Sequence, residues 1–218
     1  MTNRKKIIIF TLITTLIAIS VLFIIFLQKP FHSSTSTSKG ILAEAPAGGN
    51  FTLTSINGKK SLIDFKGKLV LLYFGYTYCP DICPTDLGNL AMAYRGLNEK
   101  EKSHVQILFV TVDPERDTAT RMGEYTRYFD ANIIGLTGTN QDIATVARQY
   151  GVVYMKAPNK IEHNLAKEAS QQNNQHYTVD HSAFTYIIDP TGQLQTQIAH
   201  ATSPKHIQQL IRDFLRTF

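Results

Sequence analysis

The chain has 218 residues and two cysteines, with 22 Lys or Arg against 17 Asp or Glu for a formal net charge of +5. Three of the basic residues (Arg4, Lys5, Lys6) lie at the very start, which leaves 19 basic against 17 acidic residues elsewhere. No Lys/Arg run interleaves with aromatics, so the composition argues against a nucleic-acid partner, and two cysteines cannot frame a disulfide-rich secreted fold. In chain order, the first predicted element is Ile7–Leu27, 21 uncharged residues broken only by Thr11, Thr14, Thr15 and Ser20. At a rise of about 1.5 Å per residue, such a helix spans roughly 30 Å of hydrocarbon. The run is too long for the apolar region of a cleaved signal peptide, and the flanking positive charges keep the amino end cytoplasmic. Residues 1–28 are therefore expected to be a membrane anchor, with everything after them on the other side of the membrane. The linker is assigned to 29–48, including the Ser-Ser-Thr-Ser-Thr-Ser tether at Ser33–Ser38, and one folded domain to 49–218.

Within that domain, Phe51–Ile56 and Lys60–Asp64 flank Asn57-Gly58, a hairpin signal. Leu69–Phe74 is a continuous apolar run, as a strand covered on both faces requires. Gly75–Pro84 is a loop leading into a helix over about Thr85–Asn98, which buries Leu87, Leu90, Ala91, Tyr94 and Leu97. A second apolar strand, Val105–Val112, ends at Asp113-Pro114; Thr118–Phe129 reads as helix and Ile133–Leu136 as a short strand or loop. Thr139 is an N-cap with Asp142 three residues on, and that helix stops at Tyr150-Gly151. Val152–Lys156 is strand-like, and Asn159–Gln175 is a polar excursion. Ala183–Ile188 and Gln193–Ile198 form a hairpin around Asp189-Pro190-Thr191-Gly192. Ser203-Pro204 opens a last helix with the apolar stripe Ile207, Leu210, Ile211, Phe214, Leu215. This order predicts an α/β fold with a thioredoxin-like central sheet and flanking helices, preceded by an N-terminal transmembrane helix.

Both cysteines, Cys79 and Cys83, sit in a C-x₃-C spacing at the start of the first helix. Positions i and i+4 on a helix are about 6 Å apart between Cα atoms, within disulfide range, but a loop that short yields close to the least entropic stabilisation a bridge can give. The helix start favours thiolate, so the pair is placed for reactivity: as two soft ligands for one metal ion, or as a dithiol. Two thiolates and one imidazole suit Cu(I) and accept Cu(II), whereas structural zinc takes four protein ligands. In a thioredoxin-like fold the residue just before the late hairpin lies beside the cysteines, which singles out His181, with Asp180 as supporting carboxylate. His32, His104, His163, His176, His200 and His206 read as solvated surface residues. Asp113-Pro114 reads either as a turn or as a support for the cysteine loop, and Asp117 as a helix cap.

Three segments in order, Gly75-Tyr-Thr-Tyr-Cys-Pro-Asp-Ile-Cys-Pro84, Val112-Asp-Pro-Glu-Arg-Asp-Thr118 and Asp180-His-Ser182, resemble the SCO/SenC family of membrane-anchored copper chaperones. The resemblance covers about residues 41–218. It implies a thioredoxin-like domain that binds one copper, Cu(I) or Cu(II), through Cys79, Cys83 and His181, and that serves the dinuclear copper site of cytochrome c oxidase. The expected partners are the copper-site subunit of that oxidase, the membrane, and other copper chaperones or thioredoxin-like reductants. The expected location is the bacterial inner membrane, single-pass, with the domain on the periplasmic side. The alternative is a thiol–disulfide oxidoreductase in which Cys79 attacks and Cys83 resolves; a peroxiredoxin-type peroxidase lacks its Thr-x-x-Cys arrangement.

Overall fold

The computed structural model describes residues 46–129, 131–158 and 177–217. The predicted anchor and the polar excursion Asn159–Gln175 lie outside them; among the described residues no helix is long and apolar enough to cross a membrane. The Asn57-Gly58 turn joins β1 (Thr52–Ser55) to β2 (Gly58–Ser61) in an antiparallel hairpin, with Gly58 at φ +96°. A single 3₁₀ turn (Leu62–Phe65) occupies what sequence reads as the end of the second strand, because Ser61 and Asp64 close a capping box there. β3 (Leu69–Gly75) is buried at every position, as its unbroken apolar run requires.

Helix α1 (Ile82–Arg95) starts three residues earlier than predicted. Pro84 is tolerated in its first turn because a helix's first N–H groups have no intrahelical partner to lose. It also ends earlier, since Asn98 is claimed by the next helix: α2 (Glu99–Ser103) has Asn98 as N-cap, exchanging 2.8 Å hydrogen bonds with Glu101. β4 (Val105–Thr111) is again buried throughout. Then come α3 (Ala119–Arg127), capped by Thr118, β5 (Ile133–Leu136), and α4 (Asn140–Gln149). The predicted Thr139–Asp142 capping box is present, and Gly151 follows at φ +67°.

Next are β6 (Tyr154–Pro158) and β7 (Tyr177–His181), the second a strand that the sequence reading did not assign. β8 (Phe184–Ile188) and β9 (Leu194–Ala199) form the late hairpin, with Asp189 Oδ1 accepting from the amides of Thr191 and Gln193. α5 (Pro204–Thr217) closes the chain and packs on α1. The main sheet runs β5-β4-β3-β8-β9, parallel between β5, β4 and β3 and antiparallel from β3 through β9. β6 and β7 form a separate two-stranded antiparallel ribbon. Gly75 pairs with Thr111, so the loops leaving the carboxyl ends of the two central strands emerge side by side. That edge is where open α/β sheets place ligands.

Candidate metal centre

Three chain segments meet at that edge. Cys79 lies in the loop after β3, Cys83 in the first turn of α1, and His181 is the last residue of β7. The two sulfurs and the imidazole lie within 4.8 Å of one another, and they are the one such group of three potential ligands among the described residues. Cys83 Sγ is 3.3 Å from His181 Nε2. The other ring nitrogen, Nδ1, lies 3.1 Å from the Ser182 carbonyl, which orients the ring and leaves Nε2 facing the thiols. Tyr73 and Tyr76 pack edge-on against the imidazole, with centroids at 6.4 and 5.9 Å.

No disulfide joins the two thiols, and they differ in surroundings: Cys79 is half-buried and Cys83 fully buried. The Cys83 amide donates to Cys79 Sγ at 3.4 Å, so the sulfur does the work of the N-cap that Asp81's side chain does not perform. The Cys79 thiol is held well below its ordinary pKa, first by the hydrogen bond from the Cys83 thiol. The His181 ring and the amides of Cys83 and Asp81 act in the same sense, against burial. Cys83 is pushed up by the sulfur it donates to and by burial. The result is a nucleophilic, partly accessible sulfur beside a protonated, enclosed one.

Two further residues fix this geometry. A Cβ on Gly75 would stand 2.6 Å from Cys83 Sγ, so only glycine lets the thiol approach the strand end. Asp117, fully buried, accepts from the Thr77 amide (2.9 Å), the Thr77 hydroxyl (2.6 Å) and the Thr111 hydroxyl (2.7 Å), tying the cysteine loop to β4. Asp117 was expected to cap a helix; Thr118 does that, accepting from the Arg121 amide. Asp113 lies farther out: it accepts from the Tyr177 hydroxyl at 2.6 Å and pairs with Arg116.

Asp180 does not support His181. Neighbouring residues on a strand face opposite ways; Asp180 is exposed, and the Ser182 carbonyl takes the role expected of it. Of the other histidines, His104 and His206 are exposed as expected. His200 is exposed too, yet its Nδ1 lies 3.0 Å from both oxygens of buried Asp86 on α1. His32, His163 and His176 lie outside the described residues. Gly75 had a sequence signal, a lone glycine closing an apolar run just before the cysteine loop. Asp117 and Thr77 had none, because their pairing spans 40 positions.

The donor set fits a soft metal ion. Bonds of about 2.0–2.3 Å to one ion put donors at most roughly 4.6 Å apart, so a set within 4.8 Å closes with little movement. Comparisons with known proteins agree with this geometry. The chain is 38% identical over 180 residues to the mitochondrial SCO2 homolog of Bos taurus, covering 81% of this chain and 63% of that one. It is 37% identical over 167 residues to an SCO2-like protein of Rickettsia conorii, 76% of each chain. Among solved structures, Arabidopsis thaliana ScoI with copper bound superposes with a TM-score of 0.66 at 33% identity, covering 78% of this chain and 99% of that one. The chain spans less than two thirds of the bovine relative's length. The family model described as SCO1/SenC matches residues 40–216, and with the thioredoxin-like fold, the C-x₃-C loop and the distant histidine in place, the chain belongs to the SCO1/SenC family.

Proposed function

We propose that the chain is a copper chaperone that holds one copper ion through Cys79, Cys83 and His181 and passes it to, or prepares, the dinuclear copper site of cytochrome c oxidase. The observation that carries this reading is the convergence of two sulfurs and an imidazole, 98 positions apart in sequence, on one point. Two thiolates leave a Cu(II) site neutral and a Cu(I) site with a single negative charge, so either oxidation state is electrostatically tolerable. The half-buried Cys79 is the sulfur an acceptor reaches first. Copper in the relative ScoI supports the choice of metal. In this reading, residues 1–28 anchor the chain in a bacterial inner membrane and 29–48 connect to the copper-binding domain 49–218, which lies on the periplasmic side. The copper-site subunit of the oxidase is the recipient, with other copper chaperones or thioredoxin-like reductants as upstream partners.

The test is copper loading of the reduced chain. One copper per chain is expected, with thiolate-to-Cu(II) charge-transfer absorption, and both are lost or badly weakened in His181→Ala. Weak copper binding that His181→Ala leaves unchanged defeats the proposal. One observation favours a second reading, a thiol–disulfide reductase: the accessible Cys79 carries the lowered pKa while Cys83 is enclosed and protonated, the asymmetry of an attacking and a resolving thiol. Reduction of a partner disulfide by Cys79 and Cys83 that persists in His181→Ala selects it.

A further inference from the structure

The three donors do not share one scaffold. Cys79 and Cys83 are fixed to the main sheet through β3 and α1, whereas His181 sits on β7, whose backbone ladder, among the described residues, runs only to β6. The carboxyl end of β7 joins β8 within two residues. Its amino end is held by its pairing with β6 and, toward the cysteine loop, by side chains that converge on Arg116. The guanidinium lies 3.7 Å from the centroid of the Tyr177 ring at the start of β7, 4.7 Å from Tyr78 next to Cys79, and 5.7 Å from Tyr76. Nη1 donates to the Tyr177 carbonyl at 3.0 Å, and Nε pairs with fully buried Asp113. Asp113 in turn accepts from the Tyr177 hydroxyl at 2.6 Å. In the same strand the Val179 amide donates to the Tyr76 hydroxyl at 3.2 Å.

We propose that Arg116 is a positioning residue for the metal centre: wedged between tyrosines of the cysteine loop and the first residue of the histidine strand, it sets the distance from His181 to the two sulfurs. The inference rests on the copper reading for its consequence but not for its geometry. Arginine is suited to the place because its planar face stacks on rings while its edge donates to two acceptors at once. Lysine keeps the charge and can still pair with Asp113, but it has no flat face and cannot also reach the Tyr177 carbonyl in plane.

The experiment compares Arg116→Lys with the parent in the full chain. Without metal, the ¹⁵N shift of His181 Nε2 reports its contact with Cys83 Sγ; it is expected to move toward the free-imidazole value while amide shifts of β3 and β4 stay in place. With metal, copper affinity is expected to fall at least about tenfold, the lower end for residues that orient metal ligands. In the His181→Ala background, Arg116→Lys is expected to cost nothing further, because it acts through that ring. An unchanged Nε2 shift in a folded variant overturns the proposal whether or not copper binds. Equal losses in the presence and absence of His181 also overturn it. Should Arg116→Lys fail to fold, Tyr78→Leu removes one stacking face at a half-exposed position and is read against the same outcomes. Failure of the parent to bind copper, with the Nε2 shift displaced as expected, refutes the chaperone reading and leaves the positioning role standing.

Discussion

Replacing Gly75 by alanine tests the centre at its tightest contact. The new methyl carbon would stand 2.6 Å from Cys83 Sγ and 3.1 Å from both Phe109 Cε2 and Tyr73 Cε1. Non-bonded carbon contacts relax near 3.5–4.0 Å, so the sulfur or the strand must give way by about 1 Å. Neither moves freely, since Cys83, Phe109 and Tyr73 are fully buried. Overpacking of this kind costs about 1–3 kcal/mol, which for a chain of this size lowers Tm by roughly 2–12 °C. Metal ligands tolerate only about 0.2 Å of error, so a displacement near 1 Å harms binding more than folding. The assay is thermal unfolding with and without copper, because an ion that binds only the folded state raises Tm by an amount set by its affinity. The control is Gly135→Ala, whose methyl would meet Met122 Cβ at 2.8 Å, in the contact between α3 and β5. Both variants are expected to lose several degrees without metal, and only Gly75→Ala to lose most of the copper-induced rise. Equal copper-induced rises in the two variants refute the reasoning.

Three further outcomes are expected. Asp117→Asn keeps one acceptor oxygen but puts an NH2 donor in place of the other, so at least one of the three donors from Thr77 and Thr111 loses its acceptor, a loss of about 1–3 kcal/mol in denaturant titrations. Burial raises the Asp117 pKa, so the folded state holds that proton more tightly than the unfolded one. Its contribution to stability is therefore greatest at low pH and declines as pH rises from the ordinary carboxylate range through the raised value, and Asp117→Asn flattens that part of the profile. In the reduced, metal-free chain, iodoacetamide is expected to label Cys79 first, at a rate nearly flat between about pH 6 and 8, with Cys83 unlabelled until unfolding; a steep rise at Cys79 across that range contradicts the lowered pKa. Thr139→Ala removes the cap of α4 and is expected to cost about 1 kcal/mol by thermal unfolding while leaving copper affinity unchanged.

Much of the scaffold was readable because it is encoded locally. Leu69–Gly75 and Val105–Thr111 are apolar at nearly every position, and the Thr139–Asp142 box and the Asn57-Gly58 turn each lie within four residues. The site was readable only where topology could stand in for distance, as it did for His181. β7 carries little signal of its own: Tyr177-Thr178-Val179 has strand-forming composition, but the polar stretch before it and the lack of alternation mask so short a run. Asp180 is next to His181 in sequence but not in space, because strand alternation points it away. The buried role of Asp117 and the stacking of Arg116 depend on partners 40 and 61 positions off, and nothing in their local sequence marks them.

The division of the donors between the main sheet and the β6–β7 ribbon gives the centre the character of a hemilabile chelate. The two sulfurs, one in the loop after β3 and one in the first turn of α1, form a stiff bite closed by the hydrogen bond from the Cys83 amide to Cys79 Sγ. The imidazole is the other arm, carried on the two-stranded ribbon and held by the Tyr73 and Tyr76 rings and the Ser182 carbonyl rather than by the main sheet's ladder. On the copper-chaperone proposal, an incoming thiolate or imidazole would displace this arm before either sulfur. On the same proposal, an ion held this way would change hands through a mixed-ligand intermediate rather than by release to water.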